Sequence, residues 1–195
     1  MNHRSPILVF VFFTTHTLRT IAFACVIVNV FVSCSPTPKP VPADDVFTFG
    51  QVTRYGAHYQ NEGIESNVYM LDVYSEGLSL NANEKIEGTG KNLCFSDVFT
   101  LPTDTRLQYD VTYSADTTGK ADTFLPGQDF DGNINGAYLL DIADGKVSSI
   151  TLFDKGTFTL TQVGDTTHIV FELITASKAV YKATFHAPLT YKRPL

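Results

Sequence analysis

The most constraining feature of this sequence is a pair of alternating segments joined by the two-residue turn Gly164-Asp165. Apolar residues fill every second position, at Phe158 and Leu160 before the turn and at Ile169 and Phe171 after it. Counting outward from the turn opposes Leu160 to Ile169 and Phe158 to Phe171, so that the two apolar faces coincide. A shift of one residue would oppose apolar to polar side chains. Turn and pattern therefore predict the same antiparallel register.

The same period of two recurs from residue 46 to the end of the chain, where helical periodicity is hard to find. Asp144-Gly145 suits a type I′ turn between segments 137–143 and 146–153, and a third hairpin around 176–178 would pair Glu172 with Lys182. Further strands are predicted at 46–55, 68–75, 91–99 and 106–113, and a long polar loop at 114–136. About eight or nine short strands in one domain predict an all-β fold, either an antiparallel β-sandwich or a flattened up-and-down β-barrel.

The first 33 residues have the layout of a signal peptide. An apolar stretch at 21–32 follows Arg19 and ends at Ser33, directly before Cys34, and it is too short for a membrane span of about 20 apolar residues. Phe31-Val32-Ser33-Cys34 resembles a bacterial lipobox, which implies that Cys34 is diacylated and becomes the mature N-terminus. The alternative is an uncleaved signal anchor.

Residues 34–45 are predicted to form a tether between this anchor and a domain at 46–195. Segment 35–42 reads SPTPKPVP, and its alternate prolines favour extended polyproline II, a semi-rigid spacer. From Cys34 onward the chain has 12 Lys and Arg against 20 Asp and Glu, a formal net charge of −8. That charge disfavours a nucleic-acid partner. Cys94, in an apolar run, is predicted to be a small buried hydrophobe.

The tyrosines near the front of the domain have two interpretations, a binding surface or ordinary core and rim residues of the strands. They offer flat apolar faces with polar tips, which suits carbohydrate and protein contacts. A binding surface is therefore predicted near the front of the domain, formed by Tyr55, Tyr59, Tyr69 and Tyr74.

Motifs for metals, cofactors and catalysis are weak by comparison. Alternate oxygen-bearing side chains at Asp129, Asp131, Asn133 and Asn135 resemble the start of a calcium loop, but the sixth and twelfth positions of that motif hold Ile134 and Leu140. The interpretation is a turn cluster, with no metal, no cofactor and no catalytic residue assigned. His168 and His186 are expected to face each other, and a zinc site would need further ligands.

Taken together, several segments resemble short lipoproteins of gut and oral Bacteroidetes. These segments read NVYMLDVYSEG (67–77), GTG (88–90), TFLPG (123–127), KGTFTL (155–160) and VYKATFHAPL (180–189). The resemblance implies an envelope β-domain anchored to the outer membrane, and it leaves the membrane face open. It also implies O-glycosylation at Thr117 and Thr166, which lie in Asp-Thr-Thr sequences.

Three functions remain open from the sequence. The first is a noncatalytic binding or surface-assembly module that contacts a glycan, a protein or another envelope component. The second is a lipocalin-like carrier of a small apolar ligand, which requires a closed barrel with an empty apolar lumen. The third is a hydrolase with a dispersed pair of carboxylates, which requires two such groups about 5 to 9 Å apart in a cleft.

Overall fold

Strands make up nearly all the regular structure in residues 44–192, the part of the chain that this computed structural model describes. The predicted signal peptide, Cys34 and most of the predicted tether lie outside the described residues. One short 3-10 turn, η1 (Gln60–Glu62), accompanies the strands, and no helix in residues 44–192 is both long and apolar enough to cross a membrane. The strands, in chain order, are β1 (Asp45–Gly56), β2 (Asn67–Ser75), β3 (Leu78–Leu80), β4 (Ile86–Gly88), β5 (Gly90–Thr100), β6 (Val111–Ala115), β7 (Thr123–Phe124), β8 (Gln128–Phe130), β9 (Asn133–Asn135), β10 (Ala137–Ala143), β11 (Lys146–Val163), β12 (Thr166–Thr175), β13 (Val180–Ala187) and β14 (Leu189–Lys192).

Seven of these strands close into a barrel. They pair in the order β1-β2-β5-β10-β11-β12-β13, and β13 pairs again with β1. Every pairing up to β13 is antiparallel and joins strands that follow one another around the ring. An odd number of strands that alternate in direction leaves the first and last running the same way. The closure is accordingly parallel, with Asp45 opposite Ala183, and β14 continues it opposite residues 50–53.

Strand β11 is 18 residues long and therefore contributes to the sheet at both ends of the barrel. Its first half pairs with β10 and its second half with β6. Strand β6 pairs with β7, and β7 in turn pairs with the end of β5. The gap between β5 and β11 is thus bridged by β10 near one end and by β6 and β7 near the other.

Aromatic rings fill the middle of the barrel. Phe158 lies at the centre of this cluster, with ring centroids 4.8 Å from Phe95, 4.7 Å from Tyr113, 5.6 Å from Phe124 and 6.0 Å from Phe171. All five side chains are fully buried. This packing follows from the alternation in the sequence, since each strand turns its large apolar side chains inward.

The predicted hairpins are confirmed and one predicted strand is wrong. Leu160 lies opposite Ile169, and Glu172 lies opposite Lys182 with their charged groups 3.3 Å apart. The predicted strand 106–113 begins only at Val111, because Asp110 adopts a left-handed conformation with φ of 59° and interrupts it. The polar segment 114–136, predicted as a loop, contains β7 and the hairpin β8–β9.

Candidate functional site

The four predicted tyrosines do not form one surface. Tyr69 is fully buried among the core side chains, and its hydroxyl donates to the carbonyl of Asp104 at 3.0 Å. Tyr74 is 3% exposed because Phe49 stacks on its ring at 4.6 Å and the β3–β4 hairpin packs over it. Only Tyr55, 41% exposed, and Tyr59, half-buried, reach the surface. These two line a common cavity.

This cavity, which we call the aromatic cavity, has a volume of about 270 Å³ and lies on the outside of the barrel. Its wall of rings comes from the end of β1 and the connection between β1 and β2, and its floor from the outer faces of β2 and β5. A third side is formed by the root of the β8–β9 hairpin. The lining residues are Tyr55, His58, Tyr59, Val68, Met70, Ser96, Asp97 and Asn135.

The ring wall is held in place by local backbone hydrogen bonds. The amide of Glu62 donates to the Tyr59 carbonyl at 2.9 Å, and the amide of Ile64 donates to the same carbonyl at 3.2 Å. His58 meets the Tyr59 ring edge-on at 4.7 Å and lies 5.8 Å from the Tyr55 ring. The three rings therefore form a continuous aromatic surface on one side of the cavity.

A β-bulge in β5 puts a carboxylate at the bottom of the cavity. Phe95 pairs with Leu71 and Val98 pairs with Tyr69, so two residues of β5, Ser96 and Asp97, lie opposite the single residue Met70. A bulge of this kind changes the direction in which side chains point. Asp97 therefore does not point into the core as Phe95 does. Val98 is the next side chain of β5 that lies in the core.

Asp97 is 7% exposed, and both its oxygens accept hydrogen bonds. The Tyr59 hydroxyl donates to Oδ1 at 2.7 Å and the Ser96 hydroxyl donates to Oδ2 at 2.6 Å. Burial and this bond to Asp97 raise the pKa of Tyr59, which keeps its hydroxyl protonated and donating. A carboxylate has about four acceptor positions, so two remain for hydroxyl groups of a ligand.

The β8–β9 hairpin is fixed to the cavity at its root. The Gly136 amide donates to Ser96 Oγ at 2.6 Å, and the Ser96 amide donates to the Gly136 carbonyl at 3.0 Å. Gly136 has a φ of 77°, and a Cβ added there would overlap the carbonyl oxygen of Pro126. Only glycine allows this close approach of backbone to backbone.

The four residues considered for calcium all lie on or in the turn of this hairpin. Its tip is the turn Asp131-Gly132, with φ values of 53° and 90°, and Asp129 Oδ1 accepts from the Gly132 amide at 2.7 Å. Asp129 pairs with Ile134, one position out of phase with Asn133 and Asn135. Alternation therefore puts Asp129 on the opposite face from the two asparagines. The hairpin does not gather these oxygen atoms around one point.

A second buried carboxylate lies next to the cavity floor. Register aligns Gln51, Asp72, Cys94 and Tyr138 in a row across the outer face of four strands. Asp72 is 6% exposed and accepts a long 3.4 Å hydrogen bond from Asn92. Burial raises the pKa of Asp72, and burial together with the negative charge of Asp72 raises the pKa of the Cys94 thiol well above its usual range. Cys94 is thus a free, buried thiol, as predicted.

A larger cavity of about 440 Å³ lies between β1, β14 and the β3–β4 hairpin. Two of its polar side chains already have partners within the protein. Gln51 donates to the Tyr74 hydroxyl at 3.2 Å, and the Lys192 ammonium is paired with Glu84. Its apolar lining comes from Phe49, Leu78, Leu80 and Pro188, and Ser79 and Thr190 add two hydroxyl groups. Among the described residues, no carboxylate lines this cavity, whereas Asp97 lines the aromatic cavity.

His168 and His186 face each other as predicted, with ring centroids 3.6 Å apart. Within residues 44–192, no group of three or more His, Cys, Asp or Glu side chains is arranged to hold a metal ion. Thr117 is exposed beside a turn in which Asp116 accepts from the Thr118 amide at 2.6 Å, whereas Thr166 is half-buried at the start of β12.

Asp97, Ser96 and His58 were not predicted from the sequence. One indication was present for Asp97, because simple alternation with Leu93, Phe95 and Phe99 would put its charge into the core. A charged residue at an apolar position of a strand indicates either a register change or a functional side chain. No family model, curated protein or solved structure matches this chain.

Proposed function

We propose that this protein is a noncatalytic carbohydrate-binding module that holds a neutral sugar unit in the aromatic cavity. The observation that carries the proposal is the bulge at Ser96-Asp97, which presents a buried carboxylate beneath three aromatic rings. Sugars have apolar C–H faces that pack on aromatic rings and hydroxyl groups that donate to carboxylates. The cavity provides both kinds of contact within a few ångströms.

The size and charge of the aromatic cavity limit the class of ligand that it can hold. A volume of about 270 Å³ lies just below the range of about 300–1,000 Å³ of pockets for drug-sized molecules, which suits a single ring-shaped unit. The Asp97 carboxylate repels anionic groups, and the net charge of −8 from Cys34 onward acts in the same direction. Neutral or amino sugars therefore fit the cavity better than uronic acids, sialic acids or phosphorylated sugars.

The interior of the barrel supports this proposal over an apolar carrier. Phe158 and the four rings around it occupy the space in which a lipocalin-like protein would hold its ligand. For a hydrolase, catalytic carboxylates must reach the substrate. A carboxylate pair is required, whereas in the part of the chain that the structure describes the lining of the aromatic cavity contains one carboxylate, Asp97, and the neighbouring Asp72 is enclosed.

A glycan array probed with the full chain tests the proposal. We expect binding to neutral glycans, and a weakening of about tenfold with Tyr55→Ala, because losing one stacked ring costs about 1.4 kcal/mol. Val170→Ala, at a comparably exposed apolar side chain on β12, is the matched control and should leave binding unchanged. Absence of binding to any glycan, or equal binding by Tyr55→Ala and wild type, would refute the proposal.

We also propose that the domain is exported and anchored to the outer membrane through acylated Cys34. Support comes from the sequence alone, namely the apolar segment 21–32, the lipobox-like residues before Cys34 and the proline-rich tether after it. Cells labelled with radioactive palmitate should label the wild type and Cys25→Ala but not Cys34→Ala. Label that persists in Cys34→Ala would disprove this anchor.

A further inference from the structure

We infer that the ligand is a linear, neutral oligosaccharide whose chain leaves the aromatic cavity along one face of the β8–β9 hairpin. This inference rests on the proposed carbohydrate-binding function and extends it from one sugar unit to a chain. Its starting point is Asn135, which both lines the cavity and ends β9.

The face of the hairpin that carries Asn135 is chemically uniform. Gln128 pairs with Asn135, and Phe130 pairs with Asn133, so alternation puts these four side chains on the same face. The face therefore offers three amide groups and one phenyl ring. Amides donate to and accept from sugar hydroxyls, and a ring stacks on a pyranose face.

All four side chains are open to solvent. Phe130 is 56% exposed, an unusual position for a large apolar ring in residues 44–192. Ile134, on the opposite face, is half-buried. The hairpin thus turns its amides and its ring outward while an aliphatic side chain covers its other side. An exposed ring beside amides, continuous with a cavity, is the arrangement that a ligand chain requires.

Length and rigidity agree with a chain of a few units. Phe130 and Asn133 lie two residues beyond Gln128 and Asn135, about 7 Å further from the cavity at about 3.3 Å per residue. That distance accommodates about one further sugar ring. The reciprocal bonds between Gly136 and Ser96 hold the root of the hairpin against the cavity, so the two parts keep a fixed separation.

The charges on the hairpin favour an uncharged oligosaccharide. Asp129 and Asp131 are both exposed near its tip, and the chain in residues 121–143 contains no Lys or Arg to compensate them. An anionic polysaccharide would be repelled by Asp97 at the start of the path and by Asp131 at the tip, and Asp129, on the other face of the hairpin, adds to the negative charge nearby. The hairpin therefore extends the preference of the cavity for uncharged sugars.

Isothermal titration of the full chain with linear oligosaccharides tests this inference. The probes are β-1,4-linked glucose, N-acetylglucosamine and mannose, and α-1,4-linked glucose, each in lengths from one to six units. For any oligosaccharide series that binds, affinity should rise about tenfold between one and three units and then level off. The reason is that a second stacked ring adds about 1.4 kcal/mol to the binding free energy. Phe130→Ala should abolish this rise while leaving affinity for the single unit unchanged. Val163→Ala, at an exposed apolar side chain beside the β11–β12 turn, is the control.

The outcomes separate the two proposals. Equal affinity for one and three units, or a rise that survives both Phe130→Ala and Asn133→Ala, overturns the hairpin path and leaves the cavity proposal standing. Weaker single-unit binding in Tyr55→Ala together with a length dependence lost in Phe130→Ala supports both. Failure of every series to bind overturns both.

Discussion

Removing the hydroxyl of Tyr59 should destabilise the protein by more than an ordinary tyrosine hydroxyl would. In Tyr59→Phe, Asp97 loses the 2.7 Å bond to Oδ1 and retains only the Ser96 bond to Oδ2. Hydrogen bonds to charged groups contribute about 1.5–3 kcal/mol, and a carboxylate that is only 7% exposed has little access to water as a substitute. We expect Tyr59→Phe to lower the free energy of unfolding by about 1.5–3 kcal/mol.

Tyr74→Phe is the matched control. The Tyr74 hydroxyl accepts a 3.2 Å bond from the neutral amide of Gln51 and lies outside the aromatic cavity. Neutral hydrogen bonds contribute about 0.5–1.5 kcal/mol, so this variant should cost about half as much. Both variants leave the ring, and hence the packing, in place.

A double-mutant cycle with Asp97→Asn measures how much the negative charge of Asp97 contributes to its hydrogen bond with Tyr59. The amide oxygen that this substitution introduces could still accept from Tyr59, but as a neutral acceptor, so Tyr59→Phe should cost only about 0.5–1.5 kcal/mol in that background. The coupling energy is then about 1 kcal/mol. Urea unfolding followed by far-UV circular dichroism is the suitable assay, because the chain has no tryptophan. A Tyr59→Phe cost no larger than that of Tyr74→Phe, or a coupling near zero, would show that Asp97 is not held in this way.

Three further variants test the barrel, the buried carboxylate and the hairpin root. Phe158→Ala should cost about 3–5 kcal/mol in urea unfolding because Phe158 lies at the centre of the aromatic core; a cost under about 2 kcal/mol would contradict that position. Asp72 has a raised folded-state pKa, so its contribution to stability is present below its unfolded pKa of about 3.9 and is lost as the pH rises through the folded value. Asp72→Asn should therefore become progressively more stable than wild type above about pH 4, and parallel urea midpoints across pH 4 to 7 would contradict this. Gly136→Ala should cost about 1–3 kcal/mol more than Gly132→Ala, since both residues have positive φ but only Gly136 meets a backbone atom, and equal thermal midpoints would exclude the close contact.

Local pattern was enough to predict most of the strands that form the barrel and three of the hairpins that join them. Two-residue turns such as Gly164-Asp165 fix register without reference to the rest of the chain, so the pairing of Phe158 with Phe171 could be read directly. The closing pair could not, because the parallel contact of β1 with β13 joins residues about 140 positions apart and leaves no local signal. The choice between sandwich and barrel depended on that one contact.

The candidate site could likewise be predicted only in part, because some of its features depend on long-range contacts. Tyr55 and Tyr59 were identified by residue type, whereas Tyr69 and Tyr74 have the same type and are buried. Exposure depends on strand parity and on what covers the outer face, here the β3–β4 hairpin over Tyr74. Asp97 was missed because the bulge that turns it outward is a property of two paired strands, not of the segment itself.

Strand β1 separates the point where the chain enters the barrel from the aromatic cavity. It begins at Asp45, beside Lys91, and its last residues, Tyr55 and Gly56, lead directly into the ring wall. Twelve residues at about 3.3 Å each span roughly 40 Å along the strand. An N-terminal tether of the kind proposed above would therefore hold the barrel at one end of β1 and leave the aromatic cavity at the far end of the same strand.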